Sequence, residues 1–140
     1  MRADLAARLA RGEESLSVLQ EYARKFTTLG LYQADGRARD VVERNVQIAV
    51  QSIVDLGDDL IARRGWGRPA TAPAAIAVLA QRGVLPRPLA DSLRRWIHLR
   101  NVLVHEYASI DSRRVLQALR NRLRFLRSGL LALARAHGLR

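Results

Sequence analysis

Arg, Asn, His and Tyr lie close together in an otherwise apolar segment of this sequence, in the run R-N-V-L-V-H-E-Y that begins at Arg100. Arginine carries a permanent, planar positive charge that can bind two phosphate oxygens at once. The imidazole of His105 can accept or donate a proton, and Asn101 can orient either neighbour. These residue types suit phosphate chemistry. No set of metal ligands accompanies them, so we expect chemistry without a metal or a cofactor.

Helical spacing brings these side chains within reach of one another. Asn101 and His105 are four residues apart, so they are neighbours on a helix surface. Arg100 lies about 140° around the axis from His105, but its long side chain can approach the imidazole. Arg100 also falls inside the apolar arc of this helix, where an unpaired charge is costly. The alternative is therefore a buried ion pair without chemistry, in which backbone groups satisfy Asn101 and His105. The candidate partners of Arg100 are Asp55, Asp58 and Asp59.

The periodicity of the apolar residues is helical along nearly the whole chain, and no alternating strand pattern is convincing. Breaks fall at Gly30 with the following QADG, at RGWGRPATAP and at GVLPRP. Pro88 suits the first turn of a helix, and Asp111 is a good N-cap. These signals predict one all-α domain over residues 1–140, a bundle of four long helices and one short helix. The predicted helices cover residues 3–28, 37–63, 74–81, 88 to 105 or 107, and 112–136.

Positive charge is concentrated in the second half of the sequence. The formal net charge is +11, and the sequence pI is about 11.6. Residues 1–60 carry 8 Lys/Arg against 10 Asp/Glu, a balance of −2, whereas residues 61–140 carry 16 against 3, a balance of +13. Such a localised field favours a polyanion, with nucleic acid as the leading candidate. A GC-rich genome is the alternative origin of the excess, and it explains the choice of Arg over Lys better than the asymmetry.

Composition excludes several classes of protein. The sequence contains no cysteine, which excludes thiol catalysis, Cys-based zinc sites and iron–sulfur clusters. No apolar run approaches the ~20 residues that span a bilayer, and the first residues lack the apolar core of a signal peptide. We therefore expect a cytoplasmic protein with no membrane partner.

The combined pattern Arg100-Asn101-x-x-x-His105-x-Tyr107 resembles the signature of the HepT family of HEPN-domain toxins. The segment VERNVQIAVQSIVDLGDDLIA, the short central helix and the YASID before the last helix also lie where that family has them. The resemblance implies a homodimeric HEPN-type up-down four-helix bundle in which two Arg-x4-His motifs form a composite cleft. It further implies a metal-independent endoribonuclease that acts as the toxin of a type VII toxin–antitoxin pair. The implied antitoxin is a minimal nucleotidyltransferase, MntA, which transfers AMP to the tyrosine.

The resemblance assigns a role to each residue of the motif. His105 is then the general base or acid, Arg100 the phosphate clamp, Asn101 their support and Tyr107 the site of AMPylation. The RNA, whether tRNA or mRNA, would be cut by attack of its own 2′-hydroxyl. The main rival is a non-catalytic HEPN subunit that binds a nucleotidyltransferase or a nucleotide. A basic DNA-binding regulator is a weaker rival, because no helix-turn-helix signature is evident.

Other residues carry less weight. His98 shares a stripe with His105 and could line the cleft, but we interpret it as an incidental polar residue of that face. His137 is expected in a fraying tail, and Trp66 is expected to be a packing anchor. The arginines of the last helix spread around it, so they predict only a general field that attracts RNA: Arg113, Arg114, Arg120, Arg122, Arg124 and Arg127.

Overall fold

The computed structural model describes residues 2–105 and 111–140, and this part of the chain contains six helices and no strand. The all-α class predicted from the sequence is confirmed. Helices α1, α3, α5 and α6 are long, and α2 and α4 are short. Their bounds are α1 Arg2–Lys25, α2 Leu29–Ala34, α3 Gly36–Arg64, α4 Ala72–Gln81, α5 Arg87–His105 and α6 Ser112–Ala136.

The four long helices share one core of apolar side chains. Helix α1 packs against α3 and α6, α5 packs against α3 and α6, and α4 covers α3 and α5. Trp96 of α5 is fully buried, and its Nε1 donates a hydrogen bond of 2.9 Å to the carbonyl of Arg122 on α6. This bond satisfies the buried indole N–H and fixes α5 against α6.

Small residues set the close approach of the helices. A Cβ added at Gly12 of α1 would lie 2.9 Å from the Cβ of Ser52 on α3, which is closer than packed side chains allow. A Cβ at Gly129 of α6 would lie 3.0 Å from the Cδ1 of Leu93 on α5. The close α1–α3 and α5–α6 contacts therefore require glycine, which has no side chain, at positions 12 and 129.

Threonine or aspartate side chains cap the N-termini of helices α2, α3, α4 and α6. The carboxylate of Asp111 accepts a hydrogen bond of 2.9 Å from the N–H of Arg113, which confirms its predicted role as an N-cap. The segment around Gly30, predicted as a break, contains the short helix α2. The Thr28 hydroxyl caps this helix, and its buried Tyr32 packs edge-to-face on Phe26 at 5.7 Å. Tertiary packing therefore supplies a helix that local propensity does not.

The residues after α6 pack against the rest of the fold, so the expectation of a fraying His137 is wrong. His137 is buried, and its Nε2 donates a hydrogen bond of 2.8 Å to the Leu56 carbonyl of α3. The side chain of Arg140 binds the carboxylate of Glu13 on α1 at 2.6 Å. These contacts tie the end of α6 to α1 and α3.

Trp66 is the packing anchor that the sequence predicts. It follows α3 in a glycine-rich turn and packs partly buried against the core. The guanidinium groups of Arg64 and Arg82 lie 5.9 and 5.5 Å from its ring centroid. No helix in the described part of the chain is long and apolar enough to cross a membrane.

Candidate active site

Helix α5 presents Asn101 and His105 on its exposed face and Arg100 at the border of its buried face. Leu99 and Leu103 point into the core, and Asn101 and His105 are exposed. Arg100 lies between the two faces and is half-buried. The apolar stripe of α5 holds the helix against the core, so the polar residues of the candidate site are not needed for packing.

A chain of hydrogen bonds holds the Arg100 side chain. Its Nη1 donates to the Oε1 of Gln51 on α3 at 2.6 Å, and its Nε donates to the Oδ1 of Asn101 at 2.9 Å. The amide of Gln51 in turn donates to the Oδ1 of Asp55 at 2.8 Å. Gln51 therefore links the guanidinium to α3 without neutralising it, because its amide carries no charge.

The buried ion pair considered as the alternative reading does not form in the described residues. Asp55 binds the Nη1 of Arg8 on α1 at 2.8 Å instead, and Asp59 binds Arg63 at 2.6 Å. Asp58 is exposed to solvent. Partial burial lowers the pKa of the Arg100 guanidinium, and the nearby Asp55 carboxylate opposes that effect. Arg100 is thus a cation held in place by neutral partners.

Arg100, Asn101 and His105 line one cleft with a volume of about 800 Å³. Helices α1 and α3 form its other walls. The cleft contains four arginines and one aspartate, so its surplus is three positive charges before His105 is counted. Its lining residues are Arg8, Arg11, Arg44, Gln47, Ile48, Gln51, Ser52, Asp55, Arg100, Asn101, Val104 and His105.

Sequence reasoning missed the part of the cleft that α1 and α3 supply. Arg8, Arg11 and Arg44 belong to the first 60 residues, whose formal charge is slightly negative, so the charge profile hides them. Gln51 is an exposed residue of α3, and its residue type alone does not indicate a partner on α5. The available signal was that Arg8 and Arg11 lie one turn apart on a single face of α1.

Of the two remaining candidates, the structure describes only His98. His98 lies on the other flank of α5, in a second groove of about 650 Å³ between α5 and α6, so it does not line the cleft of His105. The predicted AMPylation site, Tyr107, lies outside the described residues. In the part that the structure does describe, no group of three His, Asp or Glu side chains is arranged to hold a metal ion.

The fold and the cleft define a class of protein: an all-α HEPN-type bundle with a basic cleft around an arginine and a histidine of one helix. Residues 13–133 match the family model described as Ribonuclease HepT-like. The chain belongs to this HepT-like family.

Two named relatives are similar in sequence. The mRNA nuclease HepT of Shewanella oneidensis is 26% identical over 80 residues, which are 57% of this chain and 60% of that protein. The matched segment therefore spans less than two thirds of that relative. The tRNA nuclease HepT of Aphanizomenon flos-aquae is 29% identical over 101 residues, which are 71% of this chain and 69% of that protein.

Solved structures show the same fold. A tri-AMPylated HEPN toxin of Shewanella oneidensis, in complex with an MNT antitoxin, superposes with a TM-score of 0.83 at 19% identity, over 94% of this chain and 96% of that one. The cytosolic protein YutE of Bacillus subtilis, of unknown function, superposes with a TM-score of 0.79 at 18% identity, over 96% and 88%. The likeness confirms the HEPN-type fold predicted from the sequence.

Proposed function

We propose that this chain is a metal-independent endoribonuclease, the toxin of a type VII toxin–antitoxin pair. The observation that carries the proposal is one cleft whose lining contains His105 of α5 and four arginines from three helices. Such a cleft attracts an anionic chain and places a titratable imidazole beside it. Two relatives in the same family are named mRNA nuclease and tRNA nuclease, which supports RNA as the anion.

Arg100 is the proposed phosphate clamp. Gln51 and Asn101 fix its guanidinium through hydrogen bonds of 2.6 and 2.9 Å, so little reorganisation is needed when charge develops on a phosphorane. Half-burial strengthens its attraction for the phosphate, because charges interact more strongly away from bulk water. A guanidinium supplies this stabilisation without a metal.

His105 is the proposed proton-transfer group. RNA carries its own nucleophile, the 2′-hydroxyl beside the scissile phosphate. The neutral imidazole of His105 would remove the 2′-hydroxyl proton as the 2′-oxygen attacks phosphorus. The P–O5′ bond then breaks, and the 5′-oxygen takes a proton from a second imidazole. The products are a 2′,3′-cyclic phosphate and a 5′-hydroxyl.

A homodimer would supply the second imidazole. One chain brings one His105, and this residue is exposed. A two-fold axis beside α5 would set two such residues in a single composite cleft, one as base and one as acid. The dimer is therefore part of the proposed mechanism.

The antitoxin would inactivate the ribonuclease by modifying Tyr107. AMP attached by an MntA-like nucleotidyltransferase would place a bulky anion two residues from His105, block the cleft and cancel positive charge there. The surplus of three positive charges in the cleft gives that phosphate a favourable site. The tri-AMPylated state of the Shewanella toxin supports this form of regulation.

The test is cleavage of labelled tRNA and mRNA by the dimer in EDTA, with a 2′-deoxy oligonucleotide as the negative substrate. We expect the wild type to cut RNA only, and His105→Ala and Arg100→Ala each to lower the rate by at least about 10²-fold. Arg68→Ala, an exposed loop change of equal charge, is the matched control. Full activity in either site variant contradicts the site, and cleavage only with added metal contradicts the mechanism.

Intact mass spectrometry separates a silenced toxin from a protein without activity. Co-expression with the nucleotidyltransferase should add mass in units of AMP to the wild type and abolish cleavage, whereas Tyr107→Phe should gain no mass and remain active. A protein of unmodified mass that cuts no RNA would support the rival function, a non-catalytic subunit.

A further inference from the structure

A second basic groove lies on the other flank of α5, where α5 meets α6. Its volume is about 650 Å³, and three of its arginines, Arg95, Arg114 and Arg122, come from both helices. The remaining lining residues are Asp91, Arg94, His98, Leu99 and Gln117. Nothing in the chemistry proposed for the first cleft uses this groove.

The three arginines repel one another, and no described carboxylate neutralises them. Burial lowers the pKa of the Arg122 guanidinium, and the positive charges of Arg95 and Arg114 lower it further. The single acid of the groove, Asp91, forms an ion pair with Arg94. The Nε of Arg122 is buried without a hydrogen-bond partner among the described residues. An anion bound in the groove would relieve the repulsion and accept such a donor.

Polar residues connect this groove to the cleft of His105. Arg94, His98, Asn101 and His105 follow one another at intervals of three and four residues, so they form one stripe along α5. His98 lines the groove and Asn101 lines the cleft. The rise between these two residues is about 4.5 Å along the helix, so the two sites are contiguous across the exposed face of α5.

We propose that the α5–α6 groove binds backbone phosphates of the same RNA chain, beyond the phosphate that is cut in the first cleft. The proposal rests on the proposed ribonuclease function and adds the path of the substrate. The groove suits a nucleic acid better than a protein, because arginine, histidine and glutamine dominate it and its one apolar side chain, Leu99, is buried. Phosphate contacts of this kind position a chain without reading its sequence.

The salt dependence of RNA binding tests the proposal. Binding of an unstructured oligouridylate is measured in a His105→Ala background, so that cleavage does not interfere. The double change Arg114→Gln/Arg122→Gln should weaken binding by about tenfold or more and flatten the plot of log Kd against log salt by about 0.7 per lost phosphate contact. The control Arg24→Gln/Arg135→Gln removes the same charge at exposed positions of α1 and α6 that line neither groove, and it should leave the slope unchanged.

Each result decides one question. Equal slopes for the two double variants would overturn the proposal, and so would a change in the oligomeric state of the Arg114/Arg122 variant alone, because the groove would then be an interface between copies. Arg114→Gln by itself, at an exposed position, gives the same test if the double variant does not fold. The Arg114→Gln/Arg122→Gln change is also made in the protein that retains His105. There, the ratio of kcat/KM for a long RNA to kcat/KM for a dinucleotide should fall by about tenfold relative to the wild type. A flattened slope without any cleavage by the wild type would support the groove and contradict the ribonuclease.

Discussion

Gln51 offers a test of whether the orientation of Arg100 matters to the reaction. Gln51→Leu removes the acceptor that lies 2.6 Å from the Nη1 of Arg100 and keeps a side chain of similar size. Hydrogen bonds to charged groups contribute about 1.5–3 kcal/mol, and the exposure of Gln51 favours the lower end of that range. At about 1.4 kcal/mol per factor of ten, kcat/KM for RNA should fall roughly tenfold. The loss should appear in kcat, because Arg100 still binds the ground-state phosphate.

The assay is steady-state cleavage of a labelled RNA, with thermal unfolding measured on the same samples. Gln81→Leu, the same change at an exposed position on α4, is the matched control and should alter neither quantity. In an Arg100→Ala background, Gln51→Leu should have no further effect, because the interaction that it removes is already absent. A loss of less than twofold, or an equal loss in the presence and absence of Arg100, would refute the reasoning.

Three further predictions concern stability. His137→Ala should lower the free energy of unfolding by about 2 kcal/mol in urea titrations, because it removes a buried hydrogen bond and leaves a cavity. Gly12→Ala should cost about 1–3 kcal/mol through the methyl group forced to 2.9 Å from Ser52, whereas Gly30→Ala, with nothing within 4 Å, should not destabilise the fold. Burial and the nearby Asp40 carboxylate raise the pKa of Glu43, so the charged form of this side chain is destabilised in the folded protein. Glu43→Gln should therefore raise Tm by about 2 °C at pH 7, and this gain should disappear below the unfolded pKa, near pH 4.

Failure of the stability predictions would be equally informative. A His137→Ala protein as stable as the wild type would show that the end of α6 contributes nothing to the core. A gain in Tm for Glu43→Gln that persists below pH 4 would mean that the carboxylate charge is not its cause, because the wild-type carboxyl is then protonated as well.

Much of the candidate site could be predicted from the sequence because its central residues belong to one helix. Arg100, Asn101 and His105 lie within six residues of sequence, and helical geometry alone relates their side chains. The resemblance to the HepT family starts from this segment and extends to VERNVQIAVQSIVDLGDDLIA, the short central helix and YASID, and the family match confirms it. The predicted homodimer, the role of each residue and the AMPylation of Tyr107 stay predictions that the proposed experiments test.

The hydrogen-bond and ion-pair partners of these residues could not be predicted from the sequence. Gln51 forms its hydrogen bond with Arg100 although the two residues are 49 positions apart in the sequence. Asp55, a predicted candidate partner of Arg100, forms its ion pair with Arg8 instead. A wheel drawn for one helix cannot rank such partners, because their distances depend on how two helices are rotated against each other. The same limit explains His98, which shares a stripe with His105 yet lines a different groove.

The sequence by itself determined the number, order and approximate bounds of the long helices, the N-cap at Asp111 and the residues able to do chemistry. These features depend on interactions within about four residues, which composition and spacing encode directly. Only the tertiary structure decided which charges meet. It brought Arg8, Arg11 and Arg44 into the same cleft as His105 and buried His137 against α3. It also brought Arg95, Arg114 and Arg122 into one groove, where none of them forms an ion pair with a carboxylate of the described residues. Those outcomes depend on close packing between distant segments, where a glycine such as Gly12 sets how near two helices come.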